Sequence, residues 1–182
     1  MSKLQRVNVV GSSGSGKSTV GRQIADTLDL PYVELDDLHW LPDWAESTDE
    51  ELLSKLENAL SGEGWVLDGN YSRTVPVKWK RVQLVVWLDL PFWLTLYQVI
   101  TRTFRRSIHS EVLWAGNRES LTKAFFDKDS IILWSISNLS RVRRGYNQAT
   151  TDDRFRHIQF VRLRSRREIR DFLSALPELQ SD

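Results

Sequence analysis

The chain has 182 residues but no cysteine, one methionine and only three histidines. Without thiols there are no disulfides, thiolate nucleophiles or Cys-based zinc sites, a composition that suits a reducing cytoplasm. His39, His109 and His157 are scattered, which argues against a histidine metal cluster. No apolar run approaches the ~20 residues needed to span a bilayer, and Met1-Ser2-Lys3-Leu4 leads into an apolar strand with no signal-peptide pattern. A cytoplasmic protein with no membrane partner is expected, as monomer or homodimer. There is no internal repeat or low-complexity tract. At 41% hydrophobic and 27% charged residues, the length suits one substantial core, so a single domain over 1–182 is expected. Net charge is +1, but residues 101–170 hold sixteen Lys/Arg against seven Asp/Glu, which gives the second half a positive field.

Against these absences stands one dense motif. Gly11-Ser12-Ser13-Gly14-Ser15-Gly16-Lys17-Ser18 matches G-x-x-x-x-G-K-[ST] at every fixed position, a Walker A phosphate loop. The glycines let the backbone curl its N–H groups around an anion. Lys17 then reaches the β- and γ-phosphates, and the Ser18 hydroxyl is a Mg²⁺ ligand. The context suits a working loop: residues 6–10 form a β-branched run, and Val20, Ile24 and Leu28 recur at helical spacing behind it. A flexible Gly/Ser linker would not be wedged between a strand and a helix.

Downstream, apolar strands alternate with helices. Residues 29–31 close the first helix, and residues 32–35 predict a second strand with Asp36 and Asp37 at its carboxyl end, either a functional pair or helix caps. Thr48-Asp49-Glu50-Glu51 fits a capping box heading a helix with Leu52, Leu53, Leu56 and Leu60 on one face. Residues 65–67 form a third strand that delivers Asp68 to its end, where a carboxylate can serve Mg²⁺ through water. Residues 82–89 read as a buried parallel strand. The helix that follows sets Arg102 and Arg106 one turn apart, able to present two guanidinium groups to a polyphosphate. Residues 107–130, the least periodic stretch, suit a lid. A helix from 131 is expected to stop at Gly145, then a last strand over 155–163 and a helix over 165–176 with Ile169, Phe172, Leu173 and Leu176 inward. The alternation predicts a three-layer α/β/α P-loop NTPase fold with a five-stranded parallel sheet and a small helical lid. On its ligand-binding edge stand the loop, Asp36, Asp68 and Asp89; for Asp89, capping the next helix is the competing role.

The stretches GSSGSGKST (from Gly11), ELDDLHW (from Glu34), WVLDGNY (from Trp65), VVWLDLP (from Val85), LWAGNRES (from Leu113) and VRLRSRREI (from Val161) together resemble the nucleoside-monophosphate-kinase-like branch of P-loop proteins. The resemblance is greatest to bacterial adenylate-kinase-like "DNA topology modulation" proteins. It implies that Gly14, Gly16, Lys17, Ser18 and Thr19, with Gly11, Ser13 and Ser15 of the same loop, hold ATP phosphates and Mg²⁺. It makes Asp68 similar to the aspartate of the adenylate kinase D-G-F-P-R segment, with the metal. Glu34 and Asp36 resemble the acidic pair of shikimate-kinase-like enzymes. Arg102, Arg105 and Arg106 look like arginines that open a lid, Arg141 and Arg144 like those that return from it, and Arg166 falls where the last strand-to-helix loop approaches adenine. The segment from Asp68 departs from the adenylate kinase pattern: it lacks Phe-Pro and carries its arginine, Arg73, one residue later.

The expected activity is transfer of the γ-phosphoryl of ATP·Mg to a small-molecule or nucleotide acceptor. Lys17, Asp36, Arg102, Arg106 and Arg141 are the catalytic candidates. Asp36, Trp40, Gly69, Asn70, Tyr71, Arg73 and Arg144 are the acceptor-side candidates, with Trp40 and Trp44 able to stack on a ring. The alternative is an ATP-binding regulator of nucleic acid, for which the basic second half interleaved with Phe104, Trp114, Phe155 and Phe160 gives some footing.

Overall fold

The computed structural model describes residues 3–108, 112–117 and 131–177, with side chains from 139 onward in the last stretch. Its centre is a five-stranded sheet ordered β2-β3-β1-β4-β5, formed by β1 (Arg6–Gly11), β2 (Tyr32–Glu34), β3 (Trp65–Asp68), β4 (Leu84–Leu88) and β5 (Gln159–Leu163). Every pairing is parallel. The helices among the described residues are α1 (Lys17–Leu28), α2 (Leu35–His39), α3 (Asp49–Ala59), α4 (Val75–Lys78), α5 (Phe92–Ile108), α6 (Ile131–Ala149) and α7 (Arg166–Ala175).

Strand alternation divides the core between the two faces. Val7 and Val9 of β1 meet Val20, Ile24 and Leu28 of α1 and Ile169, Phe172 and Leu173 of α7. Val10 joins Leu52 and Leu56 of α3, Trp79, Trp87 and Tyr146 on the other side. The result is the three-layer α/β/α arrangement. Register then aligns this edge of the sheet: Glu34 pairs with Asp68, Val9 with Asp68, and Gly11 with Leu88, so the phosphate loop leaves β1 next to the strand that ends in Asp68, with Glu34 one strand further out.

Local signals explain several boundaries. Thr48 and Glu51 form the full capping box of α3, each side chain taking the other's backbone N–H. Asp29 ends α1 in the left-handed region at φ 51°. Other boundaries move. β2 ends at Glu34, because Leu35 already belongs to α2. β4 is shorter than residues 82–89. α6 continues through Gly145 to Ala149, since burial of Tyr146 and Ala149 outweighs the ~1 kcal/mol that a mid-helix glycine costs. β5 begins only at Gln159, residues 153–155 being a 3-10 turn in which the Asp152 side chain caps the Arg154 N–H. Of the expected lid, residues 109–111 and 118–130 lie outside the described residues, while Trp114–Gly116 forms a 3-10 turn. Among the described residues no helix is long and apolar enough to cross a membrane.

Candidate active site

The phosphate loop is shaped by what its glycines touch. Gly14 has φ 74°, and a Cβ there would lie 2.5 Å from Val99 Cγ2 and 2.6 Å from the Thr95 carbonyl of α5. A side chain would therefore be strained and would collide with the helix at once. Gly16, at φ 89°, is the N-cap of α1, so the loop delivers its N–H groups to the positive end of that helix. Lys17 Nζ donates to the Ser12 carbonyl at 3.2 Å, folded back along the loop it serves. From α5, Arg102 donates to Ser13 Oγ at 3.2 Å, bringing one of the sequence-identified arginines onto the loop.

Three carboxylates gather beyond Ser18. The Ser18 hydroxyl donates to Asp68 Oδ2 at 2.6 Å and the Tyr32 hydroxyl to the same oxygen at 3.0 Å. Asp68 is buried, and its Oδ1 has no hydrogen-bond partner among the described residues. A buried carboxylate oxygen left over in this way is an open acceptor beside the Ser18 hydroxyl. Among the described residues no group of three or more His, Asp or Glu side chains could enclose a metal. Mg²⁺ takes one or two protein oxygens and completes its shell with water and phosphate, and the Ser18 hydroxyl with the open Asp68 Oδ1 fits it. Glu34 accepts from Arg22 at 3.0 Å and from the Trp114 indole at 3.1 Å. Burial, then the neighbouring charges of Asp68 and Asp36, push its carboxyl above the usual range. Tyr32 is pushed up by burial and by Asp68 and remains a donor.

On the far side, the Tyr71 hydroxyl donates to Asp36 Oδ1 at 2.8 Å, held neutral by burial and by that carboxylate. Asp36 is thus in the first turn of α2 without capping it: the N-cap is Glu34, with no side-chain cap bond. Asn70 donates to the Gly11 carbonyl at 2.9 Å, which turns it toward the phosphate loop. Arg73 binds Asp49 at 2.7 Å and sits 3.0 Å from His39 Nδ1, so its guanidinium is engaged on this surface. Burial lowers the pKa of His39. Trp40 packs edge-on against Trp44, with ring centroids 5.4 Å apart, and Trp44 against Trp114 at 6.5 Å. Asn117 fixes this aromatic wall, donating to the Leu41 carbonyl and accepting from the Trp44 N–H. Arg106 lies 5.8 Å over the Trp114 ring.

A cleft of about 260 Å³ opens beside the loop, lined by Ser15, Gly16, Thr19, Gln98, Arg166 and Arg170. Arg141 and Arg144 are exposed on α6. Between them Arg143 turns inward and donates to Asp89 Oδ1 at 2.6 Å, while Arg162 holds Oδ2 at 2.5 Å. Asp89 is therefore an ion-pair node. Sequence reasoning missed Arg143, Asn117, buried Asn8, which accepts from the Trp79 indole, and Lys78, and it gave Trp114 only a nucleic-acid reading. Only Trp114 and Asn117 carried a signal, through the stretch LWAGNRES.

The chain is similar to several known proteins. The shikimate kinase family model matches residues 13–43, a span that includes most of the loop, Glu34 and Asp36. The uncharacterized protein YqaC of Bacillus subtilis (strain 168) is 27% identical over 129 residues, 70% of this chain and 72% of its own. Among solved structures, a shikimate kinase from Acinetobacter baumannii in complex with shikimate has a TM-score of 0.59 at 17% identity, covering 97% of this chain and 92% of that one. A shikimate kinase from Bacteroides thetaiotaomicron has 0.58 at 14%, covering 98% and 99%. A gluconokinase from Sinorhizobium meliloti 1021 has 0.53 at 18%, covering 100% and 96%. The fold is the one these P-loop kinases share.

Proposed function

We propose that the protein is a P-loop kinase that transfers the γ-phosphoryl group of ATP to a hydroxyl of a small acceptor, acting as a single domain with residues 107–130 as its lid. The observation that carries this reading is the shared edge: Lys17 and Arg102 at the phosphate loop, the Ser18–Asp68 pair with its open oxygen, and Asp36 oriented by Tyr71. The match to the shikimate kinase model over 13–43 takes in Lys17, Ser18 and Asp36 of this set and supports the reading.

Phosphoryl transfer needs positioned cations and exclusion of water more than a strong base. Gly11, Ser13, Gly14, Ser15, Gly16 and Thr19 cradle the phosphates, and Lys17 and Arg102 neutralise the transferring oxygens, with Arg106 and Arg141 approaching from α5 and α6. Ser18 and Asp68 would hold Mg²⁺, which when bound would supply positive charge to the phosphates. Arg166 and Gln98 border the cleft for the base. Asp36 accepts the hydrogen bond of the acceptor hydroxyl, while Tyr71 fixes the carboxylate's orientation. Trp40, with Trp44, stacks on the acceptor, and Gly69, Asn70, Arg73 and Arg144 complete its surroundings.

A hydroxyl acceptor is favoured over a nucleoside monophosphate because Glu34 and Asp36 face the site, and Arg73, the cation expected for a phosphate, is engaged by Asp49. The test is a screen of small hydroxylated metabolites and nucleoside monophosphates, read as acceptor-dependent ADP release. Release that needs no acceptor, or that only a monophosphate elicits, would overturn this reading.

A further inference from the structure

Lys78 closes α4 with no exposed surface, and among the described residues it takes part in no ion pair. Burial alone brings its pKa down to about 7. Its amine donates to the Tyr71 carbonyl at 3.2 Å, lies 3.5 Å from the Gly69 carbonyl and sits 5.9 Å over the Trp79 ring. Neither carbonyl depends on it. Tyr71 O also accepts from the Thr74 N–H and the Thr74 hydroxyl, and Gly69 O from Asn8 Nδ2. Satisfying backbone acceptors therefore does not account for an amine buried at a large desolvation cost. A methionine would fill the same volume without that cost.

The amine is distinguished by the pair of atoms it joins. Gly69 and Tyr71 flank Asn70, so one buried group ties both ends of this turn to a single point in the core. The turn in turn reaches both halves of the site: Asn70 donates to Gly11 at the root of the phosphate loop, and Tyr71 to Asp36. We propose that Lys78 is a positioning residue whose amine fixes the 69–71 turn, and through it the angle at which Tyr71 presents Asp36 to the acceptor. Only the kinetic consequence rests on the kinase reading. The staple itself is a property of the fold.

The experiment compares wild type with Lys78→Met, and with Lys78→Cys before and after aminoethylation in denaturant and refolding. Because the chain has no cysteine, the reagent installs one amine at one site. Four quantities are read: Tm, affinity for Mg·AMPPNP, exchange of the Gly69 and Thr74 amides, and kcat and KM for an acceptor found in the screen. For Lys78→Met the expected result is an unchanged or higher Tm and AMPPNP affinity within about twofold. The two amides should exchange roughly tenfold faster, and acceptor kcat/KM should fall by tenfold or more, as a small misplacement at a reacting centre does. Aminoethylated Lys78→Cys should recover both losses, and unmodified Lys78→Cys neither. The proposal is overturned if Lys78→Met leaves exchange and acceptor kinetics intact. It is equally overturned if Tm, AMPPNP affinity and acceptor use fall together, or if neither variant folds even with the amine restored. If wild type itself shows no acceptor-dependent turnover, the kinase reading fails, and exchange with its rescue still decides the staple.

Discussion

Asp68 shows how much one atom can decide. Among the described residues its Oδ2 takes two hydrogen bonds while the buried Oδ1 takes none. In Asp68→Asn the amide oxygen must face Ser18 and Tyr32, since both are donors. The NH₂ group then occupies the open position, where it cannot ligate a cation. Mg²⁺-dependent turnover should fall about 10²–10³-fold with nucleotide-free stability changed by no more than about 1 kcal/mol; paired turnover and denaturant titrations check this. Lys78 gives the second residue-scale prediction. With a folded pKa near 7 against about 10.4 unfolded, the unfolded chain binds more protons between those values, so stability rises with pH across that window. The burial penalty is at its full size below pH 7 and gone above about 10.4. Wild-type stability relative to Lys78→Met should therefore increase from pH 7 to pH 10, by up to about 1.4 kcal/mol per unit, in parallel urea titrations. The two residues also mark what a sequence discloses. Asp68 was legible because it ends an apolar strand, and a strand end is a place. Lys78 was not, because its type predicts the surface and nothing in its neighbours says that α4 turns it inward.

At the scale of elements, the phosphate loop and α5 form one unit. The helix packs so closely that Gly14 has no room for a Cβ against Thr95 and Val99, and the same helix puts Arg102 on Ser13. Gly14→Ala should push the two apart, adding strain at positive φ to the collision. Nucleotide affinity should drop by more than tenfold and Tm by several degrees, measured by calorimetry. Adding Val99→Ala should restore part of the affinity by making space, with the φ strain left behind. The loop, its strand and its helix were legible because motif, β-branched run and 3.6-residue period agreed. α6 and β5 were misjudged at their ends because local signals there were overruled: Gly145 reads as a stop, yet Tyr146 and Ala149 find a buried surface against Trp79 and Trp87, which no neighbouring residue announces.

Across the whole molecule, Asp89 joins parts that the chain separates widely. It lies at the end of β4, takes Arg143 from α6 and Arg162 from β5, and Arg162 also stacks over Trp87 with its guanidinium carbon 4.2 Å from the ring centroid. The sequence offered Asp89 as a site residue or a cap and marked Arg141 and Arg144 on the returning helix. The structure shows the arginine between them doing the anchoring, so the face of α6 that carries Arg141 and Arg144 is oriented by Arg143. Asp89→Ala would leave two guanidinium groups facing each other beside a buried strand end. The cost of stranding partners of a buried carboxylate is about 3–5 kcal/mol, lowered to about 2–3 because both arginines keep roughly a third of their surface in water. Among the described residues no hydrogen bond or ion pair joins the phosphate loop to this node, so nucleotide affinity should stay within a few-fold while kcat falls as α6 loses its orientation. Equilibrium unfolding and nucleotide titration of Asp89→Ala, Arg143→Ala and the double variant would measure both. If α6 is held as described, the double variant should cost clearly less than the sum of the singles. Additive losses would mean that Asp89 acts through Arg162 and β5 alone, leaving the placement of α6 to its packing on α5 and the Trp79–Trp87 core.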